Sequence, residues 1–304
     1  MNAVDQELVL APATRQLELL RARQVSVVEL AEAHIGQIER LNPALNVFAD
    51  FDAERVRVQA RSMDAVRDGR GALHGLPVTV KSSIATAGYR CEIGSLLYKG
   101  DTPREDAVVV ARLRAAGALI LGTTNCPELL MAYETANDLY GRTRNPWDLE
   151  RSPGGSSGGE SAAIAAGLSA AGLGSDSGGS VRVPAHFTGI CSLKPTPGRV
   201  PGRGHIPPCV GPFSVLGAIG PMARTIADVS LLFRTLSGQD PLDPSSPPVA
   251  PREAGLDELR AHAIGLFEDD GITPVTPETR AAVQVAAQAL REAGFRVEPF
   301  RPRT

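Results

Sequence analysis

The 304-residue sequence predicts an α/β protein, and three observations carry that prediction. Short apolar, β-branched runs alternate with amphipathic runs of helical period from about residue 73 onward. The first seventy residues carry the helical period alone. The composition, 43% hydrophobic and 21% charged, supplies a substantial core and is too apolar for disorder.

Taken in order, Ser26 and Glu29 match a capping box, S-x-x-E, ahead of the periodic run "VVELAEAHIGQIERL". "DAERVRVQARSMDAVRDG" reads as a second amphipathic helix. "LPVTV" (Leu76 to Val80) reads as a buried strand with Lys81 at its C-terminal end. "EDAVVVARLRAAG" is helical, "ALILGTT" (Ala118 to Thr124) is a second buried strand, and "AAIAAGLSAAG" is a buried helix of small residues. "GICSLKP" (Gly189 to Pro195) is strand-like, and "TIADVSLLFRTLSG" is a helix from near Thr225 to near Gly238. "DPLDPSSPPVAP" (Asp240 to Pro251), with five prolines, reads as a linker. A β-α-β pattern follows: "AIGLF", a helix from about Thr276 to Ala293, then "FRVEPF".

A net charge of -3 gives no electrostatic reason to expect nucleic acid or an acidic membrane surface. Cys91, Cys126, Cys191 and Cys209 form no CxxC pair, which argues against a zinc cluster and fits free thiols in a reducing cytosol. No metal and no cofactor are expected. The start "MNAVDQELVL" lacks a signal-peptide pattern, and the longest apolar stretch, near Ala162 to Gly174, is too short to span a bilayer. A cytoplasmic protein is expected. Of 31 basic residues only Lys81, Lys99 and Lys194 are lysine. Arginine cannot lose its proton in a protein and a buried lysine can, so each lysine is a candidate for a titrating role.

The stretch "SPGGSSGGES" (Ser152 to Ser161) admits four readings. As a linker it has no reason to be followed at once by a helix-forming run and a second cluster, "GSDSGGS" (Gly174 to Ser180). As a phosphate-binding loop it has the glycine spacing, but Glu160 stands where the phosphate-binding lysine belongs. As a nucleophile elbow it matches G-x-S-x-G, but a loop rather than a strand precedes it. The fourth reading pairs a serine nucleophile with a neutral lysine base. Burial at the end of an apolar strand lowers a lysine pKa, and Lys81 is so placed. Taken alone, Lys81 reads better as a strand-end lysine snorkelling to water.

"PVTVKSS", then "YGRTRNPWDLERSPGGSSGGESAAIAAGLSAAGLGSDSGGSVRVPA", "GICSLKPT" and "GPMARTIADVSLL" together resemble the amidase signature family, over roughly Leu73 to Gly238. The resemblance implies a mixed, twisted β-sheet flanked by helices. It also implies one domain: a helical portion (1–70), a catalytic core (73–238), the proline-rich linker (240–251) and the start of a C-terminal portion (255–304). Family members usually continue beyond the point matching Thr304.

The family cleaves amides through a Ser-cisSer-Lys triad. Carried onto this chain, Ser180 is the nucleophile, Ser156 the bridging serine after a cis Gly155–Ser156 bond, and Lys81 the base. Ser177, Gly178 and Gly179 correspond to the oxyanion hole, with the Ser180 N–H joining them. Asp176 and Arg182 flank the nucleophile and are expected to hold its loop; Ser157 and Ser175 are expected as hydrogen-bonding neighbours. Lys194 is expected to be structural, and the scheme requires neither His186 nor His205. Two departures stand out. Ser82-Ser83 replaces the Asp-Asn of many relatives, and Glu160 replaces a serine, which resembles the fatty-acid-amide-hydrolase-like branch more than the tRNA amidotransferase branch. Three functions stay open: hydrolysis of a small or acyl carboxamide, ammonia release from glutamine to a partner, and a silent fragment that binds or assembles. A homodimer stays open as well.

Overall fold

The computed structural model describes residues 3–66, 71–209, 211–249 and 252–301. They pack as two compact units, Met1–Ala250 and Pro251–Thr304.

The first unit opens with α1 (Ala3–Leu10), α2 (Ala13–Arg21) and α3 (Val27–Leu45). The capping box is in place: the Ser26 hydroxyl accepts from the Glu29 N–H at 3.1 Å, and the Glu29 carboxylate accepts from the Ser26 N–H at 2.8 Å. Such a cap contributes about 1 kcal/mol. Strand β1 (Phe48–Phe51) then interrupts a region expected to be wholly helical. Four residues are too few for a period to register. Helix α4 (Ala53–Asp64) starts on an Asp52 cap. The end expected of it, over 67–69, lies outside the described residues.

Next come β2 (Pro77–Lys81), α5 (Val108–Ala115), β3 (Leu119–Thr124) and the two-residue strands β4 (Ala136–Asn137) and β5 (Gly141–Arg142). They are followed by α6 (Gly158–Ala165), β6 (Ala171–Asp176), α7 (Arg182–Thr188), β7 (Cys191–Ser192), α8 (Pro212–Leu216), β8 (Ala218–Ala223) and α9 (Ile226–Leu236). The main sheet has the order β1-β3-β2-β6-β8-β7. Its centre, β3-β2-β6, is parallel, and β1, β8 and β7 join antiparallel. The sheet is therefore mixed, as expected. Leu30, Ile35 and Ile38 of α3 pack in one core with Val78, Val80, Leu119, Ile120, Leu173 and Ile219 of the strands.

The small-residue run "AAIAAGLSAAG" is not one helix. Helix α6 begins earlier, at Gly158, and stops at Ala165; Gly167 follows in the left-handed region (φ 73°), and Ala171 and Gly172 already belong to β6. The small residues reflect close approach rather than helix propensity. A Cβ on Gly172 would collide with Glu160 Oε1, and one on Gly174 would lie 2.7 Å from Ser157 Oγ. The proline-rich stretch is not a free tether either. Asp240, Asp243 and Ser246 are buried; Asp240 accepts from Arg203 Nε at 2.6 Å and Asp243 from the Gly202 N–H at 2.7 Å. Its last two residues, Ala250 and Pro251, lie outside the described residues.

The second unit holds α10 (Leu256–Arg260), β9 (Ala263–Leu266), α11 (Pro277–Glu292) and β10 (Arg296–Pro299), with β9 and β10 parallel. This is the expected β-α-β pattern, with Thr276 capping α11 and Pro277 in its first turn.

Candidate active site

Strands β2 and β6 run side by side and in parallel, so their C-terminal ends meet at one edge of the sheet. The first brings Lys81 there and the second Ser175 and Asp176. Side chains alternate along a strand, so fully buried Val78 and Val80 serve one face and Thr79 and Lys81 the other. The loop before α6 enters the same space through a cis Gly155–Ser156 peptide.

Lys81 Nζ donates to Ser156 Oγ at 2.6 Å and to Ser175 Oγ at 3.2 Å. The lysine is fully buried, and burial lowers its pKa from 10.5 to about 8, although Cys126, Asp176 and Glu160 pull the other way. Once neutral, Lys81 keeps two N–H donors and gains a lone pair. The contact with Ser156 then reverses, the hydroxyl donating to the amine.

Ser180 sits in the loop between β6 and α7, and the Asp176 carboxylate organises that loop. It accepts from the N–H groups of Gly179 (2.8 Å), Val181 (3.0 Å) and Arg182 (3.3 Å). It also receives the Arg182 guanidinium in bidentate fashion, at 3.0 and 2.9 Å. Burial pushes its pKa up, but Arg182 and the backbone donors outweigh burial and hold it below the usual carboxylate range. Asp176 and Arg182 thus tie the loop together. The Gly179 N–H is committed to Asp176, so it does not serve as an oxyanion donor in this arrangement. The N–H groups of Ser177, Gly178 and Ser180 meet no acceptor among the described residues. Gly179 takes φ 134°, which a side chain would resist, and the Gly178 carbonyl accepts from the Tyr133 hydroxyl at 2.7 Å. The Ser157 N–H donates to the Ser180 carbonyl at 3.1 Å, and the Ser157 hydroxyl bonds the Ser175 backbone.

Ser156, Ser175, Ser177 and Ser180 line one cavity of about 150 Å³. Leu129, Leu130, Met131, Pro207 and Ala218 give it an apolar wall. His205 also lines it, although the triad scheme does not require it. Its Nδ1 lies 2.7 Å from the Pro207 carbonyl, which can only accept, so the proton sits on Nδ1 and Nε2 faces Ser83 Oγ at 3.4 Å. Burial lowers its pKa to about 4, so the ring is neutral at pH 7. His186 is exposed on α7, and Lys194 Nζ donates to the Pro195 carbonyl; neither joins the cavity.

Glu160 is the other group of note, marked by the sequence only as a departure. Helix α6 places its carboxyl beneath the sheet, fully buried. The Thr79 hydroxyl donates to Oε1 and the Thr124 hydroxyl to Oε2 at 2.8 Å. Burial raises its pKa to about 8 against those bonds and Lys81. Among the described residues no three His, Cys, Asp or Glu side chains converge as metal ligands, and all four cysteines are free thiols.

Known proteins share this fold. The amidase family model matches residues 29–304. The chain is 43% identical over 285 residues to a glutamyl-tRNA(Gln) amidotransferase subunit from Roseiflexus castenholzii (strain DSM 13941 / HLO8), covering 92% of this chain and 57% of the relative. It is 45% identical over 255 residues to the corresponding protein from Cupriavidus pinatubonensis (strain JMP 134 / LMG 1197), covering 83% and 49%. The chain thus spans about half the length of these relatives. In structure it resembles fatty acid amide hydrolase, with a TM-score of 0.90 at 28% identity over 99% of this chain and 54% of that one. It also resembles 6-aminohexanoate cyclic dimer hydrolase, with a TM-score of 0.86 at 33% identity over 97% and 61%. Sequence identity is thus higher to these amidotransferase proteins than to these two hydrolases, which does not support the expected place nearer the fatty-acid-amide-hydrolase-like branch. Either way, the chain belongs to the amidase family, the enzymes that carry the amidase signature.

Proposed function

We propose that this chain cleaves the C–N bond of a small carboxamide through an acyl-enzyme on Ser180. The observation that carries the reading is the 2.6 Å contact between buried Lys81 and Ser156, beside a cavity onto which Ser180 also opens. Neutral Lys81 takes the Ser156 proton, Ser156 takes that of Ser180, and Ser180 Oγ attacks the carbonyl carbon. The oxyanion is met by N–H groups of Ser177, Gly178 and Ser180. The proton returns along the same path to the leaving nitrogen, and ammonia or an amine departs. Water then follows the same route to hydrolyse the ester. A cavity of about 150 Å³ accommodates a benzene-sized apolar group. Its apolar wall favours a carboxamide with a compact apolar acyl group. We place the reaction in a reducing compartment, where the four thiols stay free.

The test is a serine-directed fluorophosphonate probe together with a panel of primary amides, anilides and fatty amides. Labelling of the wild type and loss of labelling in Ser180→Ala are expected. Equal labelling of that variant removes Ser180 as nucleophile. A second reading, glutaminase activity within a complex, is favoured by the names of the similar sequences. Ammonia release from glutamine that needs a co-purifying partner selects it.

A further inference from the structure

Glu160 has no part in the triad, yet three strands are fitted around its carboxyl on the face that carries Lys81. Thr79 stands two residues before Lys81 on β2, and Thr124 is the cross-strand partner of Lys81 on β3, so all three side chains share one face. The two threonine hydroxyls bind the two carboxyl oxygens. Gly172, the partner of Thr79 on β6, leaves the space that the carboxyl fills; a Cβ there would collide with Oε1. A fully buried carboxyl without a guanidinium is costly, and apolar residues would fill this site more cheaply.

We propose that Glu160 is a positioning residue for the base: its carboxyl, fixed beside Lys81 by Thr79 and Thr124, sets the pH at which Lys81 becomes able to take a proton from Ser156. The inference rests on Lys81 being the base, as proposed above. An ionised Glu160 holds the proton on Lys81 by Coulomb attraction; a protonated Glu160 does not. In a fully buried site, two such groups release their protons in linked steps. The other titratable groups that act on Lys81 are Asp176 at the end of β6, Cys126 after β3, and His205 in the segment after β7. Asp176 is compensated by Arg182 throughout. The Cys126 thiol is pushed up by burial and stays neutral, and His205 is neutral above about pH 4. Glu160 is thus the carboxyl that acts on Lys81 with only the hydroxyls of Thr79 and Thr124, and no guanidinium, to compensate it.

The experiment follows the rate of fluorophosphonate labelling of Ser180 against pH in wild type, Glu160→Gln and Lys81→Ala. Glutamine keeps the volume of the side chain and cannot ionise. The rising limb of the profile is expected to move down by about one pH unit in Glu160→Gln. The gain over wild type, up to about fivefold, is expected where Glu160 is ionised and fades at lower pH, where its carboxyl is protonated in wild type as well. An unmoved or upward-moved midpoint overturns the proposal. Should Glu160→Gln not fold, Thr124→Val removes one donor to the carboxylate and is expected to move the limb in the same direction; an unmoved limb there overturns it too. A limb that persists in Lys81→Ala, or a wild type that never labels, overturns instead the reading of Lys81 as base and Ser180 as nucleophile.

Discussion

Lys81→Met sets activity against stability at one buried atom. Methionine is unbranched and apolar, so it occupies the same channel without a base. Two magnitudes follow from the site. With a pKa of about 8 in place of 10.5, about a tenth of Lys81 is neutral at pH 7, against about 0.03% for an exposed lysine. Burial thus supplies a factor of about 300 in available base. Removing the base altogether should lower labelling and turnover by about 10²–10⁴. The same shift is a folding cost. Burying the ammonium costs roughly 3 kcal/mol at pH 7, and the two hydrogen bonds to Ser156 and Ser175 return about 1 kcal/mol each. Lys81→Met is therefore expected to match or exceed the wild type at pH 7, by about 1 kcal/mol, a Tm rise of a few degrees at most. The sign depends on pH. The folded pKa lies below the unfolded one, so the cost is present in full below about pH 8 and vanishes as pH rises to 10.5. At pH 10.5 the variant should be the less stable of the two. Thermal unfolding at pH 7 and 10.5, read beside probe labelling, checks both halves. A variant destabilised by several kcal/mol at pH 7, or one labelled at the wild-type rate, refutes this reasoning.

Gly172→Ala drives a Cβ into Glu160 Oε1 and toward the Thr79 carbonyl (2.7 Å), and should cost about 3 kcal/mol in chemical denaturation. Glu160→Ala in the same chain should restore part of that, because the backbone contact remains; a single variant with wild-type stability contradicts the packing. Asp176→Asn loses the charge-assisted clamp on the Ser180 loop, and labelling should fall about 10²-fold or more with a Tm drop of a few degrees. Wild-type labelling there removes Asp176 from the positioning of the loop. His34, fully buried with its pKa lowered to about 3, and His205, lowered to about 4, stay neutral in the fold while the unfolded chain takes up protons below about 6.5. Stability should fall as pH drops from 6.5 toward 4, by about 1.4 kcal/mol per pH unit for each histidine, and His34→Gln should flatten its share. Equal slopes in denaturation series of the two proteins remove that histidine as the cause.

The strands around Lys81 and Leu119 were legible because both faces of each are covered, which writes a continuous apolar run into the chain. Caps at Ser26, Thr225 and Thr276 were legible because each is a local contact. Strands β6 and β8 were not. Their glycines and Pro221 answer to what lies across the sheet, such as the Glu160 carboxyl against Gly172, and no window of sequence contains that neighbour. The site divides in the same way. The contact of Lys81 with Ser156 joins residues 75 apart and was legible only through a family pattern. The diversion of the Gly179 N–H depends on where the Asp176 carboxylate points. A lone histidine such as His205 carries no spacing signal, yet the Pro207 carbonyl and Ser83 Oγ fix its ring on the cavity wall.

The scarcity of lysine sharpens the reading of the site, because the chain offers its own control. The ion pairs at the buried and half-buried carboxylates Asp50, Asp106, Asp176 and Asp240 all use arginine. Arg224 is a buried cation too, and burial lowers its pKa as well, to about 10. It still stays charged at pH 7, and its guanidinium donates to the carbonyls of Ile164, Ser169, Val9 and Ala11, acceptors that can never return a proton. Lys81 meets the same desolvation with a pKa that falls near 8, and its partners are two hydroxyls, each able to donate as well as accept. One kind of burial therefore yields a fixed pin in the first case and, in the second, a group that can release and retake a proton, as the proposed base must. The difference lies in the intrinsic pKa of the side chain and in whether its partners can reverse their hydrogen bonds. Both conditions hold at position 81, beside a cavity that Ser156 and Ser180 both line.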